Sequence, residues 1–173
     1  MKKLLVVVDY QNDFVDGALG FPGADKIENR IIELIEEFQK NNDYICFTLD
    51  THEPDYMNTT EGHYLPVEHC IKNTKGWELR ERLQKYVGNN PVFEKHTFGS
   101  MELGKYIQNL GVNEVTLVGL VSNICVISNA IIAKAALDKN GVVKVVRDAT
   151  SSYDLVMQEK GFDILKNLHI EII

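Results

Sequence analysis

With 173 residues, 45% of them hydrophobic, the chain has the size of one domain and enough apolar mass to bury a core without staples. Its formal net charge of −7 argues against nucleic acid as a partner, because a binder of phosphate backbones carries a surplus of Lys and Arg on one face. No apolar run approaches the roughly 18 to 20 residues of a membrane span, and the opening MKKLLVVVD breaks on Asp9 before a signal-peptide core forms; a cytoplasmic protein with no membrane attachment and a small-molecule partner is expected.

The first element, KLLVVVD (3–9), is a continuous β-branched run that reads as a strand buried on both faces of a parallel sheet. A helix follows over 26–40, with Ile27, Ile31, Ile32, Ile35 and Phe38 on one face, and then a second strand, YICFTLD (44–50). Residues 51–76 break the rhythm: they are polar, rich in His and without a period, and longer than a connection needs to be. Beyond them the pattern predicts a helix over 77–86, a short strand ending near Lys95, a helix over 101–109 capped by Ser100, and a strand over 112–120. A helix over 122–138, a strand over 142–148, a helix over 154–167 and a closing strand over 169–173 complete the chain. Strands alternating with helices predict an α/β fold, a three-layer doubly wound sheet, mostly parallel, in a single domain spanning 1–173.

In such a sheet ligands bind beyond the carboxyl ends of the strands, and those ends here carry reactive side chains. Asp9 ends the first strand and Asp50 the second; Lys95 follows a third in VFEKHTFGS; Cys125 lies in GLVSNICV, after Gly119, at the start of an apolar helix. Amide N–H groups and the helix dipole there favour a thiolate and can hold an oxyanion. Asp9 could take the thiol proton and return it to a leaving amine, and a buried Lys95 between them would favour both charged forms. Each residue also has a plainer reading: Cys125 as a small core residue, Asp9 as a solvated turn cap, Lys95 as a surface charge.

A second constellation is Asp50-Thr51-His52 followed by Glu61, His63 and His69. Alternation along an extended chain lets Asp50 and His52 face the same way, and a returning loop can add the rest; such imidazole and carboxylate donors suit Zn²⁺, with Fe²⁺ or Mn²⁺ as alternatives. Three cysteines cannot all pair; Cys46, inside its apolar run, reads as core, and Cys70 sits beside His69.

Asp9-Tyr10-Gln11-Asn12-Asp13-Phe14, Glu94-Lys95 with Phe98-Gly99-Ser100, and Gly119 through Val126 resemble, in order, the three catalytic motifs of the isochorismatase-like (Rossmann-like fold) hydrolases that include nicotinamidases. The resemblance spans nearly the whole chain. It implies a cysteine hydrolase of a small amide, with an Asp9–Lys95–Cys125 triad, a cis peptide at Leu120-Val121, and an oxyanion hole made of the Val121 and Cys125 amides. It further implies a divalent metal on Asp50, His52, Glu61 and His69, with His63 or Asn58 as substitutes for Glu61; Phe14 and Leu120 against the substrate; and a homo-oligomer.

Two positions depart from the family pattern. The usual Thr-Asp before the nucleophile turn is Ser122-Asn123, which removes a charge near Cys125. The aromatic residue that often stacks on a pyridine ring just before the last metal-binding His is missing from Leu65-Pro66-Val67-Glu68, leaving Phe14, Tyr10 and Tyr64 as replacements. The alternative inside the family is a metal-independent amidase acting on carbamoyl or ureido groups. Isochorismate hydrolysis would leave Cys125 idle, and a catalytically silent binding relative would leave the whole triad so. Outside it, a phosphoacceptor receiver domain would use Asp9, Asp13, Asp50 and Lys95 but not Cys125. A flavin or nucleotide module would want Gly, Ser and Thr where Tyr10 to Gly17 carries Asp and Asn. Trp77 has two readings, an interface residue or a helix anchor.

Overall fold

The computed structural model describes residues 2–173. Its sheet contains β1 (Leu4–Val8), β2 (Tyr44–Asp50), β3 (Val92–Lys95), β4 (Glu114–Leu120), β5 (Val142–Ser151) and β6 (Glu171–Ile172), in the spatial order β3-β2-β1-β4-β5-β6. Every pairing is parallel. The chain winds outward from β1 to β3, crosses back, and winds the other way from β4 to β6, so the switch point lies between β1 and β4. A crevice opens there beyond the carboxyl ends, because the connections on its two sides leave to opposite faces.

The continuous apolar runs have a direct structural cause. Leu5 and Val7 of β1 pack with Ile45 and Phe47 of β2 on one face, under Ile31, Leu34, Ile35 and Phe38 of helix α2 (Glu28–Lys40); α1 is the single turn Asn12–Val15. Leu4, Val6 and Val8 point the other way. There they meet Cys46 of β2, Leu103 and Ile107 of α5 (Met101–Leu110), Ala130 and Ala133 of α6 (Ile127–Ala136), and Phe162 and Leu165 of α7 (Leu155–Asn167). With both faces covered, all five residues of β1 are fully buried, each contributing about 1.5–3 kcal/mol of apolar transfer. Cys46 is core, as its sequence setting suggests.

The helix ends follow local chemistry. Ser100 Oγ accepts from Leu103 N at 3.1 Å and Asp154 Oδ1 from Met157 N at 2.9 Å; α5 stops at Gly111, whose φ of 69° only glycine adopts freely. Gly119 (φ 109°) is required for a different reason, since a Cβ there would collide with the Val8 carbonyl.

Three expectations need correcting. The helix predicted over 77–86 is only the turn α4 (Glu81–Gln84), because the backbone before it is committed elsewhere. Asn12 N donates to Glu78 O (3.0 Å), Asp13 N to Gly76 O (2.9 Å) and Arg80 N to Tyr10 O (3.1 Å). The helix predicted over 122–138 begins as a π turn, Ser122–Val126, and β5 runs on to Ser151 through a register shift opposite Leu117/Gly119. The irregular segment holds two short turns, Tyr56–Asn58 and α3 (Thr60–Tyr64), each too brief to leave a period in the sequence. Trp77 is an anchor: half-buried against the core, it donates its indole N–H to Thr51 Oγ1 at 2.9 Å. Among the described residues no helix is long and apolar enough to cross a membrane.

Candidate active site

Asp9 and the π turn carrying Cys125 lie on either side of the switch point, and β3 delivers Lys95 from beyond β2. Asp9 leaves β1 with a φ of 45°, a conformation Asp tolerates, and its Oδ1 accepts from Thr48 Oγ1 at 2.6 Å. The Lys95 ammonium then meets Asp9 Oδ2 at 2.6 Å, Asp50 Oδ1 at 3.0 Å, the Thr97 carbonyl at 3.2 Å and Cys125 Sγ at 3.4 Å.

All three charged groups are almost wholly buried. Burial by itself would push Lys95 down, but Asp9, Cys125 and Asp50 together outweigh it and hold the ammonium well above its ordinary value. Burial pushes Asp9 up, with Lys95 opposing and Asp50 assisting. Burial likewise pushes the Cys125 thiol well above its usual range despite Lys95, and the nearby Asp9 and Asp50 charges add to this. Burial thus favours the thiol form of Cys125 and raises the proton affinity of Asp9, while Lys95 holds its proton between them.

The peptide Leu120-Val121 is cis. After it, the Val121 carbonyl accepts from Ile124 N (3.1 Å) and Val126 N (3.2 Å), which wraps the turn around the Cys125 amide, and Ser122 Oγ donates to Gln158 Oε1 at 2.9 Å. Val121 and Cys125 both line a cavity that Asp50 also borders.

Asp50 belongs to a second group through its other oxygen. The chain returns after α3 so that Ile71 bridges His52 in parallel, with His52 N on Cys70 O at 3.0 Å, and this lays His69 beside His52. His52 Nε2 and His69 Nε2 lie 3.1 and 3.4 Å from Asp50 Oδ2, and 3.8 and 3.6 Å from Glu61 Oε1. The four donor atoms all fall within 4.8 Å of one another. His69 Nδ1 lies 2.8 Å from the Val67 carbonyl, an acceptor that suits a proton on Nδ1, so Nε2 is the nitrogen that faces the cluster. Tyr56 packs edge-on against both imidazoles, at 4.7 and 5.1 Å between centroids. His63 and Asn58 are exposed, and the fourth member of the cluster is Glu61.

The cavity beyond these groups measures about 410 Å³. Phe14 forms part of its wall and meets the His69 ring edge-on, whereas Leu120 does not: its side chain continues the alternation of β4 and is buried in the core on the α2 side. Tyr10 is also absent from the wall, buried with its hydroxyl on Ala24 O at 2.9 Å, and Tyr64 is 88% exposed. The larger apolar side chains of the remaining wall are Leu19, Phe21, Leu65, Phe98, Ile124 and Tyr153. Of these, Phe98 and Ile124 stand in motifs visible in the sequence; Phe21 and Tyr153 come from separate loops and meet edge to face at 6.2 Å.

Gln11 is a functional-site residue that sequence reading missed. Fully buried, its amide accepts from Asp50 N (2.8 Å) and donates to Asp50 O (2.9 Å) and Trp77 O (2.7 Å), fixing the backbone of the residue shared by both groups.

The same architecture occurs in solved structures. A pyrazinamidase/nicotinamidase from Streptococcus mutans superposes with a TM-score of 0.88 at 26% identity, covering 99% of this chain and 100% of that one. The pyrazinamidase of Pyrococcus horikoshii in complex with zinc gives 0.84 at 27% identity, over 100% and 99% of the two chains. An N-carbamoylsarcosine amidase from Thermoplasma acidophilum gives 0.83 at 27%, over 99% and 95%. Residues 3–173 match the isochorismatase domain, and the chain belongs to that family.

Proposed function

We propose that this protein hydrolyses the C–N bond of a small neutral amide, with nicotinamide as the leading substrate, through a thioester on Cys125. The observation that carries this reading is the Lys95 ammonium in contact with Asp9, Asp50 and Cys125, of which Asp50 and Cys125 line a mostly apolar cavity. Asp9 takes the Sγ proton as the sulfur attacks the amide carbonyl, and Lys95 balances the charge that passes between them. The Val121 and Cys125 amides receive the developing oxyanion. When the C–N bond breaks, the nitrogen leaves as ammonia with the proton from Asp9. A water then gives Asp9 a proton and its hydroxyl to the thioester carbon, and Asp9 returns that proton to sulfur, releasing the acid. The raised proton affinity of Asp9 suits a group that must accept and return a proton twice per cycle.

Two imidazoles and two carboxylates converging on one point fit a divalent cation, Zn²⁺ first, with Fe²⁺ and Mn²⁺ also compatible with this donor set. Bound there, it would supply a Lewis-acidic anchor for the substrate. Asp50 would hold it with one oxygen while the other keeps Lys95 in place.

A carbamoyl or ureido substrate is the second reading, favoured by the likeness to the carbamoylsarcosine amidase. Against it stands the lining: its ionisable groups are Asp50, Glu61, His69, Cys125 and the exposed Tyr153, with no Lys or Arg to receive a substrate carboxylate. Ammonia release from nicotinamide, abolished in Cys125→Ala and lowered by chelation, is the expected result. Release only from N-carbamoylsarcosine, unaffected by chelation, would replace this reading with the second.

A further inference from the structure

The triad does not account for Asn129, a fully buried side chain in the first turns of α6, one helical turn beyond Cys125. Its amide nitrogen donates to the carbonyl of Cys125 itself at 2.8 Å and to the carbonyl of Phe98 at 3.0 Å; its oxygen accepts from Ser100 N at 3.0 Å. Both donors of the side chain are used, on two segments 31 and 4 residues away. Phe98 and Ser100 belong to the stretch that joins Lys95 to α5. Its Thr97 carbonyl holds the Lys95 ammonium at 3.2 Å, and Phe98 is cavity wall. One buried amide thus ties the residue bearing the nucleophile to the segment that carries its cation and one side of the substrate space.

We propose that Asn129 is a positioning residue that fixes Cys125, the Lys95 segment and the Phe98 wall relative to one another. Free rotation of the side chain is excluded by its three partners, so the spacing is set at the amide and not by packing alone. A displacement of about 1 Å at such a site can cost roughly 10²-fold in rate. The catalytic part of this inference rests on the amide-hydrolase reading, whereas the geometric part does not.

Two variants separate the bonds. Asn129→Ala removes all three, while Asn129→Ser keeps a hydroxyl able to donate to the carbonyl four residues back, that of Cys125, and releases Phe98 and Ser100. Peptide-resolved mass spectrometry of iodoacetamide labelling reads Cys125 directly, apart from Cys46 and Cys70, and kinetics with nicotinamide read kcat and KM. The expected result is Cys125 alkylation slowed several-fold in Asn129→Ala but near wild type in Asn129→Ser. In Asn129→Ser KM rises several-fold with kcat largely kept, because the bond lost there holds substrate wall. Wild-type KM in Asn129→Ser, together with an alkylation rate at or above wild type in Asn129→Ala, overturns the proposal. If Asn129→Ala does not fold, as judged by the absence of a cooperative thermal transition, KM of Asn129→Ser decides alone. If the wild type hydrolyses no amide, the function proposed above fails, and the alkylation comparison still decides the positioning role.

Discussion

Two cavities lie at opposite ends of the sheet, and the larger one carries the weaker case for chemistry. Beside the starts of β1 and β4, a cavity of about 590 Å³ is lined by Lys3, Arg30, Lys144, Glu114 and Asp148 among others. Its charges meet in ion pairs: Glu114 takes both Lys3 at 2.9 Å and Lys144 at 2.8 Å, and Arg30 meets Asp148 at 3.3 Å. The members remain 21–69% exposed, so water screens them. At the other end, about 410 Å³ of space sits over Lys95, Asp9 and Asp50, none more than 4% exposed. There a single ammonium serves two carboxylates and a thiol. What separates the two ends is how completely the charges are buried, and not the volume available.

The sharpest way to break that contrast is to remove one group at each end. Cys125→Ala is expected to lower nicotinamide turnover by about 10⁴-fold or more, as loss of a covalent nucleophile does. Glu114→Gln, at the larger cavity, should leave turnover within about twofold. An ammonia assay on both proteins checks the pair; retention of even a hundredth of the rate in Cys125→Ala would sink the thioester route.

A comparison of stability comes next in size. Lys95→Met leaves Asp9 and Asp50 buried without a cation and should lower the unfolding free energy by about 3–5 kcal/mol. Lys3→Met, removing an ammonium that is 47% exposed in its pair, should cost no more than about 1 kcal/mol. Urea titrations of the two variants measure the difference, and equal costs would show that the carboxyl edge is solvated after all.

The metal cluster sharpens the comparison from a third side. Zn²⁺ at 100 times its dissociation constant should raise the unfolding free energy by about 2.7 kcal/mol, because only the folded chain assembles the four donors. His69→Ala should lose that increment and the bound metal, read by elemental analysis and thermal denaturation. An unchanged increment in His69→Ala would place the metal elsewhere.

These residues differ in how far the sequence announces them. β1 is legible because burial on both faces makes every residue apolar, and Asp9 then stands out as the carboxylate that ends the run. The candidate metal donors are legible as an aperiodic stretch dense in His, and the return that brings His69 to His52 is implied by their number, not by any local pattern. Gln11 and Asn129 leave no such mark. Each is one amide whose worth depends on backbone groups 39 and 31 residues away, and a buried polar residue of that kind looks in the sequence like any other turn residue. The helix expected over 77–86 fails for a related reason: its apolar spacing is adequate, but the amides and carbonyls it would need are paired with the chain around Gln11. Leu120 fails through period alone, since the alternation that brings β4 to the site also turns that side chain into the core.

The smallest expected effect tests the amino-end cavity on its own terms. Burial would raise the Glu114 carboxyl, but hydrogen bonds from Lys144 and Lys3 and their charges outweigh it, so its folded-state value lies below the ordinary 4.5. A carboxyl depressed on folding binds fewer protons in the native state, and stability from it is fully present above the unfolded value. As pH falls through the lower folded value, that contribution is lost. Glu114→Gln should therefore cost less than about 1 kcal/mol near pH 7, progressively less below pH 4.5, and little at any pH in about 1 M salt, where the screening length shrinks to about 3 Å. Denaturant titrations of wild type and variant across pH 3 to 7 and at two salt concentrations give the difference directly. A cost that grows on acidification, or that salt does not touch, would mean that Glu114 behaves like the buried carboxylates at the other end of the sheet, and the distinction between the two cavities would fall with it.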